Sequence, residues 1–114
     1  MFVEDLAALG DLKETPVVDG DYPDGVNVEF VTFLPNGELA MRVHERGVGE
    51  TQSCGTGTVA VALAATLHMK QKLPSRWVIN PPGGRLIVDI DGHSNATLIG
   101  PALLVRDVEL DAYL

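Results

Sequence analysis

The chain has 114 residues, 46% of them hydrophobic, a formal net charge of −8 from 8 basic and 16 acidic side chains, and a single cysteine. That acidity argues against a nucleic-acid or anionic-membrane partner that depends on a basic patch. One cysteine excludes an internal disulfide, and with three scattered histidines it offers no usable metal-site spacing.

One domain is the natural reading, and a domain of this size buries about 65% of the surface its unfolded chain exposes, enough for one modest core. No run reaches the ~18 consecutive apolar residues of a membrane helix. The opening MFVEDLAALG lacks the basic start and small-residue cleavage site of a signal peptide, so the expected compartment is the cytoplasm.

In chain order, Met1 to Gly10 mixes Phe2, Val3, Leu6 and Leu9 with acidic residues and reads as a strand end leading into a short helical turn. Asp11 to Asp24 is polar, holds Pro16, Gly20 and Pro23, and reads as a loop or a short helix with a linker. From Val26 to Val43 apolar and polar residues alternate on both sides of Pro35-Asn36-Gly37, which predicts a β-hairpin closed at Asn36-Gly37, the preferred pair of a two-residue type I′ turn. Such a turn pairs Phe30 with Val43, Thr32 with Met41 and Leu34 with Leu39 on one apolar face. It also sets Val28 opposite Glu45 and Asn27 opposite Arg46, and a one-residue bulge would break all of these pairings.

The hairpin runs into Glu45–Thr58, ERGVGETQSCGTGT, which holds the only cysteine, Cys54. After it, Val59 to Lys72 is apolar around the whole helical wheel until Lys70, the signature of a buried helix lying inside a curled sheet, with Pro74 marking its end. Cys54 is therefore expected at or just before a helix N-terminus, where unpaired N–H groups and the helix dipole favour an anion. A thiol placed there ionises more easily, and the N–H groups of Gly55 and Thr56 can seat a carboxylate or phosphate. Thr56 or Thr58 is the expected N-cap. The spacing does not match a nucleotide-binding P-loop, since no lysine follows the glycines.

Beyond the helix, Trp77 to Asn80 and Leu86 to Ile90 read as strands joined by a turn at Pro81 to Gly84. Ala96 to Ile99 and Ala102 to Val108 read as two more, giving an α+β pattern with antiparallel neighbours. Each chemically suggestive residue also has an ordinary reading. A lone cysteine is commonly a buried structural thiol, Glu45-Arg46 an exposed ion pair, and Asn27 a polar strand residue. His44, His68 and His93 read as structural or solvated, and Glu50 and Thr51 as residues that shape a turn.

ERGVGET, the cysteine, GTGT and the later PPGG together resemble the C-terminal cysteine motif of diaminopimelate epimerases, and weaker similarity covers nearly the whole chain. Members of that family are longer, with two similar domains that each supply one catalytic cysteine; this chain resembles the second. The resemblance implies an α+β fold, an antiparallel or mixed sheet curled around a central helix, and a domain over residues 1–114 that lacks its N-terminal side. An apolar helix left incompletely covered is the expected physical consequence.

The implied reaction is cofactor-independent epimerisation of LL- to meso-diaminopimelate in lysine biosynthesis. A thiolate removes the α-proton from one face and a thiol of the other domain delivers one to the opposite face. By the same resemblance Cys54 is one of the two bases, and Glu45 contacts substrate and steers thiol protonation. Arg46 binds a substrate carboxylate, Asn27 binds the distal amino-acid end, and Gly55 and Thr56 cradle the carboxylate beside the reacting carbon. No metal or cofactor is implied. The implied partners are diaminopimelate, the missing N-terminal domain and a second copy in a homodimer, without which the isolated chain is expected to be inactive. Two other readings stay open: a non-catalytic carboxylate-binding or assembly module, and a related cofactor-free racemase. Proline racemases carry a CGTGT-like motif, although the preceding ERGVGET favours the epimerase.

Overall fold

A hairpin sets the frame in the computed structural model, which describes residues 1–13, 15–20 and 22–101. Its strands are β1 (Val28–Phe33) and β2 (Leu39–Glu45). The turn between them is a three-residue loop, not the two-residue form. The Leu34 N–H donates to the Glu38 carbonyl at 2.8 Å, the Gly37 N–H donates back to the Leu34 carbonyl at 3.0 Å, and Gly37 has φ +86°. This is a type I turn followed by a left-handed residue, a position that glycine fills without steric cost.

That extra residue moves the register by one, so that Phe30 pairs with Arg42, Val31 with Met41 and Phe33 with Leu39. The predicted pairings of Phe30 with Val43 and of Thr32 with Met41 are thereby corrected. Because side chains alternate with period two, the slip exchanges the faces of β1. Val31 and Phe33 now lie with Leu39, Met41 and Val43 in the main core, whereas Val28 and Phe30 pack with Leu12 in a second cluster on the opposite face. Both faces of this hairpin are covered.

The sheet order is β1-β2-β4-β5-β6, completed by β4 (Ser75–Asn80), β5 (Leu86–Ile90) and β6 (Ala96–Ile99), with the short β3 (Gly49–Thr51) also pairing with β2. Strand β3 was not foreseen. Between these strands the pairings are antiparallel except β2 with β4, which run parallel through Leu39–Ile79 and Ala40–Asn80, so the sheet is mixed. The parallel step is the crossover that carries the helix. The fourth expected strand after the hairpin, at 102–108, lies outside the described residues.

The helix α1 spans Gly55–His68 and thus starts four residues earlier and ends four earlier than Val59 to Lys72. Its C-terminus is closed by backbone geometry well before Pro74. The Lys70 N–H reaches the Leu67 carbonyl at 3.1 Å, the Gln71 N–H reaches the Thr66 carbonyl at 3.0 Å, and Lys70 itself sits at φ +53°. This is a Schellman closure with lysine where glycine is usual.

Burial of α1 is one-sided, which corrects the all-round burial inferred from its composition. Gly57, Thr58, Val61, Ala62, Ala65 and Thr66 face the sheet. Leu63 and Leu67 are 37% and 78% exposed on the outer flank. The helix is thus left incompletely covered on that flank among the described residues. Where it does pack, Ala62 and Ala65 let it approach Met41, Ile79 and Val88, which are fully buried and contribute on the order of 1.5–3 kcal/mol each. The Trp77 indole N–H donates to the Thr66 hydroxyl at 2.9 Å, and that hydroxyl donates to the Ala62 carbonyl at 2.8 Å, so the polar atoms of this contact are satisfied.

Candidate functional site

Cys54 is the N-cap of α1, in extended backbone conformation at φ −139°, ψ 114°. Among the described residues no side chain caps this end, and neither Thr56 nor Thr58 is the N-cap. Thr58 instead lies fully buried in the first turn, and its hydroxyl and its N–H both donate to the Cys54 carbonyl at 2.8 Å. Those bonds fix the Cys54 backbone and leave the N–H groups of Gly55 and Thr56 at an uncapped helix start. The thiol is half-buried at the edge of the main core.

The segment before Cys54 is held on two sides. Strand β3 pairs with β2 through Val43–Thr51, His44–Glu50 and Glu45–Gly49. The Pro81–Gly84 turn closes over the next residues, with the Gly83 N–H donating to the Gln52 carbonyl at 2.8 Å. That contact gives the PPGG signal a physical role: it seats the loop that carries the cysteine.

Alternation along β2 puts Glu45 on the face of Val43 and Met41, the face on which α1 lies. Thr51 shares that face, being paired with Val43, and its hydroxyl donates to the Glu45 carboxylate. Asn27 comes just before β1, and its Oδ1 accepts the Arg46 backbone N–H at 2.7 Å. Asn27 and Arg46 therefore meet, although not through the directly opposed pairing predicted, because the one-residue shift carries the register past it. The Arg46 side chain is exposed and forms no ion pair among the described residues, so the ordinary reading of Glu45-Arg46 as an exposed ion pair does not apply there.

The opposite face of β2 is structural. Arg42 holds Glu50 in a two-pronged pair, both contacts 2.7 Å, and donates to the carbonyls of Leu6 and Gly10 at 2.9 and 2.7 Å. The Arg42 hydrogen bonds keep the Glu50 carboxyl below its ordinary range, and Glu50 in turn raises Arg42. His44 is buried on this face, and its Nδ1 has no hydrogen-bond partner among the described residues. His68 stacks on Phe2 with ring centroids 4.4 Å apart, and His93 is exposed in a turn.

Sequence reasoning brought forward Asn27, Glu45, Arg46, Cys54, Gly55 and Thr56; the structure puts Gly55 and Thr56 beside Cys54 at the start of α1, joins Asn27 to the Arg46 backbone, and sets Glu45 against Thr51 on the helix-facing side of β2. It missed Thr51, because a three-residue strand bounded by Gly47 and Gly49, both at positive φ, leaves no periodic signal. It also missed Glu29, which the shifted register turns toward α1.

Taken together these features define an α+β domain that presents a half-buried thiol at the mouth of an uncapped helix end. The family model described as diaminopimelate epimerase matches residues 1–105. The chain is 48% identical over 111 residues to the diaminopimelate epimerase of Mycolicibacterium vanbaalenii, covering 96% of this chain and 37% of the relative. Against the enzymes of that name from Streptomyces coelicolor and Rhodococcus opacus the identities are 42% and 50%, over 97% and 93% of this chain and 41% and 36% of the relatives. The chain belongs to the diaminopimelate epimerase family, and it spans well under half the length of the curated relatives it matches.

Proposed function

We propose that this chain supplies the Cys54 half of a two-base site that epimerises diaminopimelate without a cofactor, a step toward lysine. The observation that carries the reading is the placement of the thiol at the N-cap of α1, with Glu45 on the helix-facing side of β2 beside Thr51 and Asn27 joined to the Arg46 backbone. A carbon next to a carboxylate is a weak acid, so its deprotonation needs a base held in contact and donors that take up the charge growing on the carboxylate. The N–H groups of Gly55 and Thr56 and the helix dipole serve as those donors.

In the forward step the Cys54 thiolate takes the α-proton, its S–H bond forms, and the electron pair of the broken C–H bond moves into the carboxylate. A second thiol on the other face then gives its proton to the α-carbon. Because the chain holds one cysteine, that thiol comes from another domain or chain. Arg46 pairs with the distal carboxylate through its planar fork, and the backbone contact to Asn27 fixes the strand end that bears it. Glu45, held by Thr51, faces the substrate's ammonium group. The same reading makes residues 1–114 the C-terminal domain of a cytoplasmic enzyme that works as a homodimer.

Substrate protection tests this proposal. Millimolar diaminopimelate slows alkylation of Cys54 by iodoacetamide, and Arg46→Met removes the protection while leaving the unprotected rate unchanged. Alkylation at the same rate with and without diaminopimelate would count against it.

A further inference from the structure

Arg46 lies on the turn that joins β2 to β3. The Val48 N–H donates to the Glu45 carbonyl at 3.1 Å and Gly47 takes φ +75°, so the chain reverses around Arg46 and leaves its side chain exposed. A long side chain in such a place samples many rotamers, and ordering it only when a ligand arrives weakens binding. The fold supplies a support from another part of the chain.

That support is the segment 22–27, just ahead of β1. Asn27 Oδ1 accepts the Arg46 backbone N–H at 2.7 Å, which fixes the root of the side chain. Gly25 lies against its stem. A Cβ placed on Gly25 would stand 3.5 Å from Arg46 Cδ and Cγ and 3.6 Å from Arg46 Cβ, so three carbons of the stem run past the glycine, all in contact range of a methyl group placed there. Gly25 is itself held by a turn, its N–H donating to the Tyr22 carbonyl at 2.9 Å. It sits at φ +83°, a conformation that suits glycine, is tolerated by asparagine and is strained for a β-branched residue.

We infer that Gly25 is a positioning residue for Arg46: the turn at 22–25 and the Asn27 amide together lay the arginine stem in one direction, so that its guanidinium is ordered before the distal carboxylate of diaminopimelate arrives. The inference rests on the functional reading above, in which Arg46 receives that carboxylate. It places control of the contact outside the cysteine-bearing run, in a turn whose sequence reads only as a connection.

The test follows the Arg46 Nε–H group by NMR in the isotope-labelled 114-residue chain, its resonance assigned by its loss in Arg46→Met. The heteronuclear NOE of that group reports order on the picosecond-to-nanosecond scale. The unsubstituted chain shows an ordered Nε–H, Gly25→Val lowers its NOE to that of an unrestrained side chain, and Gly25→Asn keeps it near the unsubstituted value. Gly25→Ala, with less strain, shifts it the same way as Gly25→Val by a smaller amount. The half-saturating diaminopimelate concentration, read from the same resonance, rises by about fivefold in Gly25→Val, the effect expected for ordering one long side chain, and stays within about twofold in Gly25→Asn. Amide resonances of β4 and β5 show that each variant is folded. An Arg46 Nε–H of equal order in the unsubstituted chain, Gly25→Ala and Gly25→Val overturns this inference and leaves the functional reading standing. An Arg46 resonance that does not respond to diaminopimelate in the unsubstituted chain overturns the functional reading, and the role inferred for Gly25 falls with it.

Discussion

Thr51 and Glu45 meet on the helix-facing side of β2 and β3, and the Thr51 hydroxyl donates to the Glu45 carboxylate. Both residues lie within the run that carries the cysteine, yet only the fold of β3 back onto β2 brings them together. A hydrogen bond to a charged group contributes about 1.5–3 kcal/mol, and its loss frees the carboxylate to turn. Thr51→Val should therefore lower Cys54-dependent epimerisation in an assembled enzyme by about tenfold, and Thr51→Ser should recover most of it. Deuterium uptake at the α-carbon measures both.

The Arg42–Glu50 pair makes stability depend on pH. The folded-state value of Glu50 lies below its ordinary value of 4.5, so the pair's contribution is fully present above about pH 4.5 and is lost as the pH falls through the lower, folded value. Glu50→Gln should cost about 1 kcal/mol at pH 7, and this difference should vanish in acid. Arg42→Met should cost more, about 2–3 kcal/mol at pH 7, because the carbonyls of Leu6 and Gly10 lose their donor too. Urea unfolding at several pH values separates the two.

Lys70 occupies a left-handed position at the end of α1. Lys70→Gly relieves that conformation, partly offset by the greater freedom of glycine in the unfolded chain, and should stabilise by about 0.5–1 kcal/mol. Thermal melting should show a rise of a few degrees.

One-sided burial of α1 makes neighbouring alanines unequal. Ala65 is fully buried and Ala64 is exposed. Ala65→Leu should destabilise by about 1–3 kcal/mol through overpacking, whereas Ala64→Leu should stay within about 0.5 kcal/mol. Equal costs would mean that the outer flank is covered.

Much of this was legible in local chemistry. The glycines around Cys54 and the apolar run after them implied a thiol at a helix start, and the helix begins at Gly55. The positions of β4, β5 and β6 followed from apolar runs between turn residues. What failed depended on one residue of loop length or on tertiary context. Asn36-Gly37 suits a two-residue turn, but Pro35 starts a type I turn and Gly37 takes the left-handed place, which shifted the register and moved Glu29 to the helix side. The helix composition described surfaces meant to be covered and could not say which flank this chain leaves bare. The short β3 was invisible because its partner, β2, supplies its order.

The most direct test follows solvent deuterium and configuration together. LL-diaminopimelate is incubated in D₂O with this chain alone, and then with this chain plus the amino-terminal portion of a full-length relative carrying its own cysteine. Each mixture is repeated with Cys54→Ala. The expected result is no inversion by the chain alone, inversion with one deuterium at the α-carbon in the mixture, and loss of both in the Cys54→Ala mixture. Inversion by the chain alone, or inversion that survives Cys54→Ala, would contradict it.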